Sequence, residues 1–310
     1  GSLSSMRRWP WVLVAVCAGL ALAPPSPPPS GRKGSASGAS DGRRAPGFSS
    51  RRRRSQDPPS QSKALVRSLK RASHPSEVAR LLESQSAFVN AYVVSTAMDA
   101  FRRFGKLREA LDLFDRTTER GVRQSSFAFT SAISASDRLG DFHRAKGLFD
   151  AWRSRTFDDT PRSVVTYNAM ISACKRGRRT REAVGVYEEL LREGLRPTVI
   201  TYNALISTCR TPEDASSFFD ELRRRGLRPT VRTYNALIDA SGYDGAWRVF
   251  DDMRRSDDVT PNVVTYNSLV SACEKEGRWD KALELFDELR ERPDLEPDVI
   301  TYSALISACG

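Results

Sequence analysis

Two polar positions recur through this 310-residue sequence while the residues around them stay apolar. The first runs Ser95, Thr130, Asn168, Asn203, Asn235, Asn267 and Ser303. The second runs Ser125, Ser163, Thr198, Thr230, Asn262 and Asp298. All are small and all are able to make hydrogen bonds. An asparagine inside a helix is intrinsically unfavourable because its amide competes with the backbone, so four of them at one phase call for compensation. Two sources of it stay open: the amide helps cap its own helix, or it pairs with something the chain binds.

Catalysis finds no support in the remaining residues. Only His74 and His143 offer a base of near-neutral pKa, and neither stands near a recurring Ser, Cys or carboxylate. Carboxylate pairs such as Glu188-Glu189 and Asp251-Asp252 fall on the polar faces of amphipathic stretches, where solvation is the default. The five cysteines, Cys17, Cys174, Cys209, Cys273 and Cys309, form no C-x-x-C pair and lie near no metal-ligand spacing. The last four share one phase, as small buried residues of successive helices do. No phosphate-cradling glycine loop or deaminase signature occurs. The expectation is no enzyme within this chain, no cofactor, no metal and no small-molecule substrate.

The formal charge of +11 is misleading. Residues 1–90 carry 15 Lys and Arg against 4 Asp and Glu, and the other 34 basic and 34 acidic residues cancel. Overall pI therefore says nothing about what the rest of the chain binds. Residues 1–60 read as a targeting and disordered leader. Arg7 and Arg8 precede the apolar run Trp11 to Ala23, giving a signal-peptide-like segment over 6–23. An Arg-, Ser- and Pro-rich stretch over 24–60 follows, of organelle transit-peptide composition. This two-part leader predicts a plastid, with a mitochondrial presequence as the alternative, and no membrane association of the mature form. Residues 61–90 have helical apolar spacing around His74-Pro75, as a helical cap or a degenerate repeat does.

The elements that position the recurring polar residues are themselves repeats. VVTYNAMISAC at Val164 returns as VITYNALISTC at Val199, VRTYNALIDAS at Val231, VVTYNSLVSAC at Val263 and VITYSALISAC at Val299. Units therefore span 91–125, 126–163, 164–198, 199–230, 231–262 and 263–298, with 299–310 cut short. Each holds two apolar stripes at helical spacing, for example Tyr202, Leu205 and Ile206, then Ala215, Phe218, Phe219 and Leu222. Thr166, Thr201, Thr233, Thr265 and Thr301 are expected as N-caps. Gly194 and Gly226, followed by Pro197, Pro229, Pro261 and Pro297, are expected to end the second helices. One hairpin cannot bury its apolar faces alone, so the units must stack. The fold class is all-α, a right-handed superhelical solenoid of antiparallel helix pairs. The chain stops after the first helix of its seventh unit and does not begin with Met, so a longer gene product is expected.

The motif order VxTYNxLI, GRxxxAxxxF and GxxP at this period resembles the pentatricopeptide repeat family over residues 91–310. The tetratricopeptide signature of about the same period is missing. The resemblance implies sequence-selective binding of single-stranded RNA in organelle RNA processing, stabilisation, editing or translation. The fifth and last residues would read one unpaired base per unit, with the chain N-terminus toward the RNA 5′ end. The second residues, Tyr92, Phe127, Val165, Ile200, Arg232, Val264 and Ile300, would flank the bases; packing between repeats is their other reading. Arg232 suits packing poorly, since a lone guanidinium is costly to bury. Carried over, Asn267 with Asp298 resembles a uridine reader and Asn235 with Asn262 a pyrimidine reader. Asn168 with Thr198 and Asn203 with Thr230 resemble weaker pyrimidine readers. Thr130 with Ser163 and Ser95 with Ser125 lean toward purines. The expected chain is a monomer whose partners are single-stranded RNA and other RNA-processing proteins. Two rivals stand: a protein-binding scaffold, and the RNA-binding part of a longer enzyme such as a protein-only RNase P or an editing factor. A groove bordered by basic side chains favours RNA, and an apolar groove favours the scaffold.

Overall fold

The computed structural model describes residues 58–154, 162–256 and 258–309. Residues 1–57 of the expected leader, with Cys17, lie outside them. Among the described residues the chain is all-helical, with fifteen α-helices, one short 3-10 turn at Ser86–Phe88 and no strand. An initial pair, α1 (Pro58–Arg71) and α2 (Pro75–Ser84), precedes six further pairs. These are α3 (Ala91–Arg103) with α4 (Leu107–Glu119), α5 (Ser126–Leu139) with α6 (Phe142–Arg153), and α7 (Val164–Ala173) with α8 (Thr180–Arg192). Then come α9 (Val199–Thr208) with α10 (Pro212–Arg224), α11 (Val231–Ala240) with α12 (Tyr243–Arg254), and α13 (Val263–Lys275) with α14 (Trp279–Glu291). The single helix α15 (Val299–Cys309) follows.

First helices pack on the first helices of the next unit, and each second helix from α4 onward packs on both its own first helix and the next one. The fold is a two-layer helical solenoid. Its core is carried by the fourth residue of each unit. Phe129, Tyr167, Tyr202, Tyr234 and Tyr266 are at most 1% exposed. Each meets, edge to face, an aromatic ring of the preceding second helix: Phe114 at 5.1 Å, Phe149 at 5.5 Å, Tyr187 at 5.9 Å, Phe219 at 5.4 Å and Phe250 at 5.7 Å between centroids. A ring pair of this kind adds about 0.5–1.5 kcal/mol to the area it buries. Stacking and burial are therefore the same event, and the spacing of the first and second helices is fixed by it.

Gly194 and Gly226 end their helices with φ of +71° and +72°, the left-handed conformation that stops α8 and α10. Cys174, Cys209 and Cys273 are free, buried thiols. Burial pushes Cys174 and Cys209 up to about 12 and Cys273 up to about 11.

Candidate nucleic-acid interface

The last residue of each unit turns out to be the N-cap of the following first helix. Ser125 Oγ accepts from the Ala128 N–H at 3.1 Å, Ser163 Oγ from Val165 at 3.2 Å, Asn262 Oδ1 from Thr265 at 3.1 Å, and Asp298 Oδ1 from Thr301 at 2.9 Å. The threonines expected as N-caps stand three residues further in. The hydroxyls of all but Thr166 do accept a backbone N–H, but it is that of the N-cap itself. Thr198, Thr230, Asn262 and Asp298 donate to Thr201, Thr233, Thr265 and Thr301 at 3.0, 2.9, 3.1 and 3.1 Å. This is the returning half of a capping box, played by Thr in place of Glu or Gln.

The fifth residue reaches across to the next unit and takes no part in the N-cap of its own helix. The Asn267 amide donates to Asp298 Oδ1 at 3.1 Å, and its Oδ1 accepts from the Thr301 hydroxyl at 2.7 Å. One unit earlier, the Asn235 amide donates to Asn262 Oδ1 at 3.4 Å and accepts from Thr265 at 2.8 Å. Ser95 meets Ser125 at 2.8 Å, and Thr130 meets Thr166 at 2.7 Å. Asn168 and Asn203 differ, because their Oδ1 atoms are buried without a partner. The fifth and last residues expected to act together are thus brought together at Ser95 with Ser125, Asn235 with Asn262, and Asn267 with Asp298. Thr130 is tied instead to Thr166. Ser303 lies on α15, its hydroxyl donating back to the Val299 carbonyl at 2.7 Å.

The second residues lie outside the packed interior. Tyr92, Phe127, Val165, Ile200, Val264 and Ile300 are 54–67% exposed, and Arg232 is exposed among them. At about 100° per residue, the second, fifth, ninth and thirteenth positions of a first helix lie within about 80° of one another. The thirteenth supplies a feature that net charge concealed. Arg103, Arg138, Arg176 and Lys275 occupy it, all exposed, with Arg210 one residue earlier in its unit. Several of these bind carbonyls at or just beyond the end of the preceding hairpin's first helix: Arg103 the Leu69 carbonyl at 3.3 Å, Arg176 that of Arg138 at 3.5 Å, and Arg210 that of Arg178 at 2.8 Å. The face therefore combines crevices lined by hydrogen-bonding groups, exposed apolar side chains beside them, and cations along one border. Among the described residues no group of three or more His, Cys, Asp or Glu is placed to hold a metal ion.

Family comparisons resolve what builds such a face. The PPR repeat family model matches residues 162–211 and 261–310, the pentatricopeptide repeat domain model 210–244, and the PPR repeat model 92–122, together more than half of the chain. The chain belongs to the pentatricopeptide repeat family. A chloroplastic pentatricopeptide repeat-containing protein of Arabidopsis thaliana is 30% identical over 139 residues, 43% of this chain and 16% of that protein. A second Arabidopsis pentatricopeptide repeat-containing protein is 31% identical over 107 residues, 34% of this chain and 13% of its own length. Among solved structures, the chain is similar to pentatricopeptide repeat protein PPR10 from maize, with TM-score 0.60, 26% identity, and coverage of 83% of this chain and 37% of that one. The same protein in complex with an 18-nt psaJ RNA element matches with TM-score 0.60 and 26% identity, over 83% of this chain and 42% of that one. The present chain thus spans a minor part of the length of each of these pentatricopeptide repeat proteins.

Proposed function

We propose that this chain binds single-stranded RNA in an organelle, at about one base per repeat, and performs no catalysis within residues 1–310. The array 91–310 is the binding module, the segment 61–90 with the α1–α2 hairpin, which begins at Pro58, covers its first unit, and residues 1–60 direct the chain to a plastid or a mitochondrion. The observation that carries the reading is the Asn267–Asp298 crevice. The Asn267 amide has two N–H groups and uses one on Asp298, and the bonds that Asp298 accepts run to Oδ1. One N–H and one carboxylate oxygen are left side by side. That pair matches the alternating carbonyl and N–H of a uracil edge, which is exposed only when the base is unpaired. Exposed Val264 and Ile300 stand where they would pack on the base face. The complex of PPR10 with an RNA element and the chloroplastic relative support the assignment. The cationic border favours RNA over a protein scaffold.

The test is the double variant Asn267→Thr with Asp298→Asn, a pair that resembles the family's adenine reader. Both residues already serve in equivalent places here: Thr130 on Thr166, and Asn262 as an N-cap. Preference at one RNA position should move from uridine toward adenine by about 1–3 kcal/mol, the usual size of a single base mismatch. Binding is measured on two RNAs differing only at that base. If folded wild type and variant rank the two RNAs alike, the one-unit-one-base assignment fails.

A further inference from the structure

We infer that the turn from Lys175 to Arg181 is an anchor for RNA phosphates lying outside the base-reading crevices, an assignment that rests on the RNA-binding function proposed above. In the units starting at 91, 126 and 263, the fifteenth residue is Gly105, Gly140 or Gly277, with φ of +69°, +82° and +64°. In the unit starting at 164 that place is held by Arg178, at φ +44°. Glycine stands one residue too early, at Gly177. A side chain in the left-handed region is unfavourable, and such strain persists where the side chain has a task. The Arg178 carbonyl accepts from Arg210 at 2.8 Å, so the strained backbone is held while the guanidinium remains exposed.

The surroundings indicate the task. Lys175, Arg176, Arg178, Arg179 and Arg181 place five cations in seven residues. The acids facing them are Glu182, 3.9 Å from Arg179, and Asp137 on the neighbouring unit. A cavity of about 160 Å³ separates this turn from the preceding one, lined by Arg176, Arg179, Phe142 and Asp137, with the Arg179 guanidinium 4.1 Å over the Phe142 ring. The equivalent turns of the units at 199 and 231 carry Glu213, Asp214 and Asp244 instead. Positive charge is thus densest at this turn, with the turn of the unit at 91 next through Arg102, Arg103, Lys106 and Arg108, and it runs on into Arg138, Arg176 and Arg210 on the border of the crevices. RNA seated in those crevices carries its phosphates along the border that this turn adjoins, which favours RNA phosphate over an acidic protein.

Arg178→Gly separates binding from folding, because it relieves the strained backbone while removing the charge. In the chain of residues 1–310, thermal stability should be unchanged or higher. Affinity for a single-stranded RNA of two purines, three pyrimidines and a uridine, flanked by adenosines, should fall about three- to tenfold at low salt. The slope of log affinity against log salt should become shallower by about 0.7, the increment for one phosphate contact on a single strand. Lys175→Gln with Arg181→Gln should deepen the loss, Asp137→Asn should raise affinity, and Arg248→Gln on α12 should change little. Wild-type affinity and slope in Arg178→Gly overturn the anchor while leaving the crevice assignment standing. Absence of RNA binding by the wild-type chain overturns both. A polyglutamate peptide that displaces the RNA at matched charge assigns the turn to an acidic protein and also overturns it.

Discussion

The crevices at Asn235 and Asn168 share a fifth residue and differ in the residue that ends the unit. Beside Asn235 that residue is Asn262, whose Oδ1 takes the Thr265 N–H and hydroxyl while the Thr265 hydroxyl also reaches Asn235 Oδ1 at 2.8 Å. Beside Asn168 it is Thr198, whose hydroxyl meets that of Thr201 at 3.3 Å, and the Asn168 Oδ1 stays buried and unpaired. Asn203 beside Thr230 repeats the second pattern. An amide or carboxylate at the end of a unit therefore fixes the fifth residue's orientation before any base arrives, whereas threonine leaves that to the ligand. Preorganised donors discriminate better because no ordering cost falls on binding. This is a physical ground for the Asn168 and Asn203 units to read their bases less sharply than those at Asn235 and Asn267.

The largest expected effect that tests this contrast is on stability. Thr265→Val preserves shape but strips the partner from two groups, the Asn262 N–H and Asn235 Oδ1. Thr201→Val strips it from the Thr198 N–H and from the exposed Thr198 hydroxyl, which water can satisfy, since Asn168 Oδ1 has no partner to lose. At about 1–3 kcal/mol per buried unsatisfied group, the first should cost about 2–6 kcal/mol and the second about 1–3. Urea unfolding of each variant checks it. Equal losses would mean that the Thr265–Asn235 bond contributes nothing and the two crevices are alike.

Much of this was legible in the sequence, for a definable reason. Repetition multiplies every signal, so unit lengths and helix pairs follow from recurrence, and the buried fourth residue follows from Tyr167, Tyr202, Tyr234 and Tyr266 at one phase. The N-cap was displaced by three residues because Val263 and Val264, which begin α13, are β-branched and resemble a segment before the helix. The exposed second residues could not be told from core by type, since a valine that packs on a repeat and one that faces outward are the same valine. Arg178 escaped notice because strain is a property of φ and leaves no mark in composition. The cationic border was hidden by summation: acids elsewhere in the array, many of them on the second helices, cancel it in net charge.

A smaller effect should sharpen the contrast from the other side. Thr198→Asn gives the Asn168 crevice the residue found at Asn262. The Thr201 hydroxyl should then donate to Asn168 Oδ1, adding about 0.5–1.5 kcal/mol, the usual net worth of one hydrogen bond. Base preference under that unit should become steeper in binding to RNAs varied at one position. Greater stability with unchanged preference would separate preorganisation from recognition.

The smallest effect distinguishes Asp298 from Asn262, which cap in the same way but differ in charge. The Thr301 backbone N–H, with bonds from the Asn267 amide and the Thr301 hydroxyl, holds the Asp298 carboxyl below the usual carboxylate range. The unfolded chain therefore takes up this proton more readily than the folded one. The stabilisation is complete above the ordinary carboxylate value of about 3.9 and is lost as pH falls through the lower folded value. Asn262 has nothing to titrate. A carboxylate at an exposed helix N-terminus is worth about 0.3–1 kcal/mol at low ionic strength, so the comparison belongs at low salt. Wild type should unfold at slightly higher temperature than Asp298→Asn at pH 7, and the gap should close or reverse near pH 3. All other carboxylates are common to both proteins, so only Asp298 moves the difference. A gap as wide at pH 3 as at pH 7 would show that Asp298 caps α15 without its charge, and that the two neighbouring crevices close by hydrogen bonding alone.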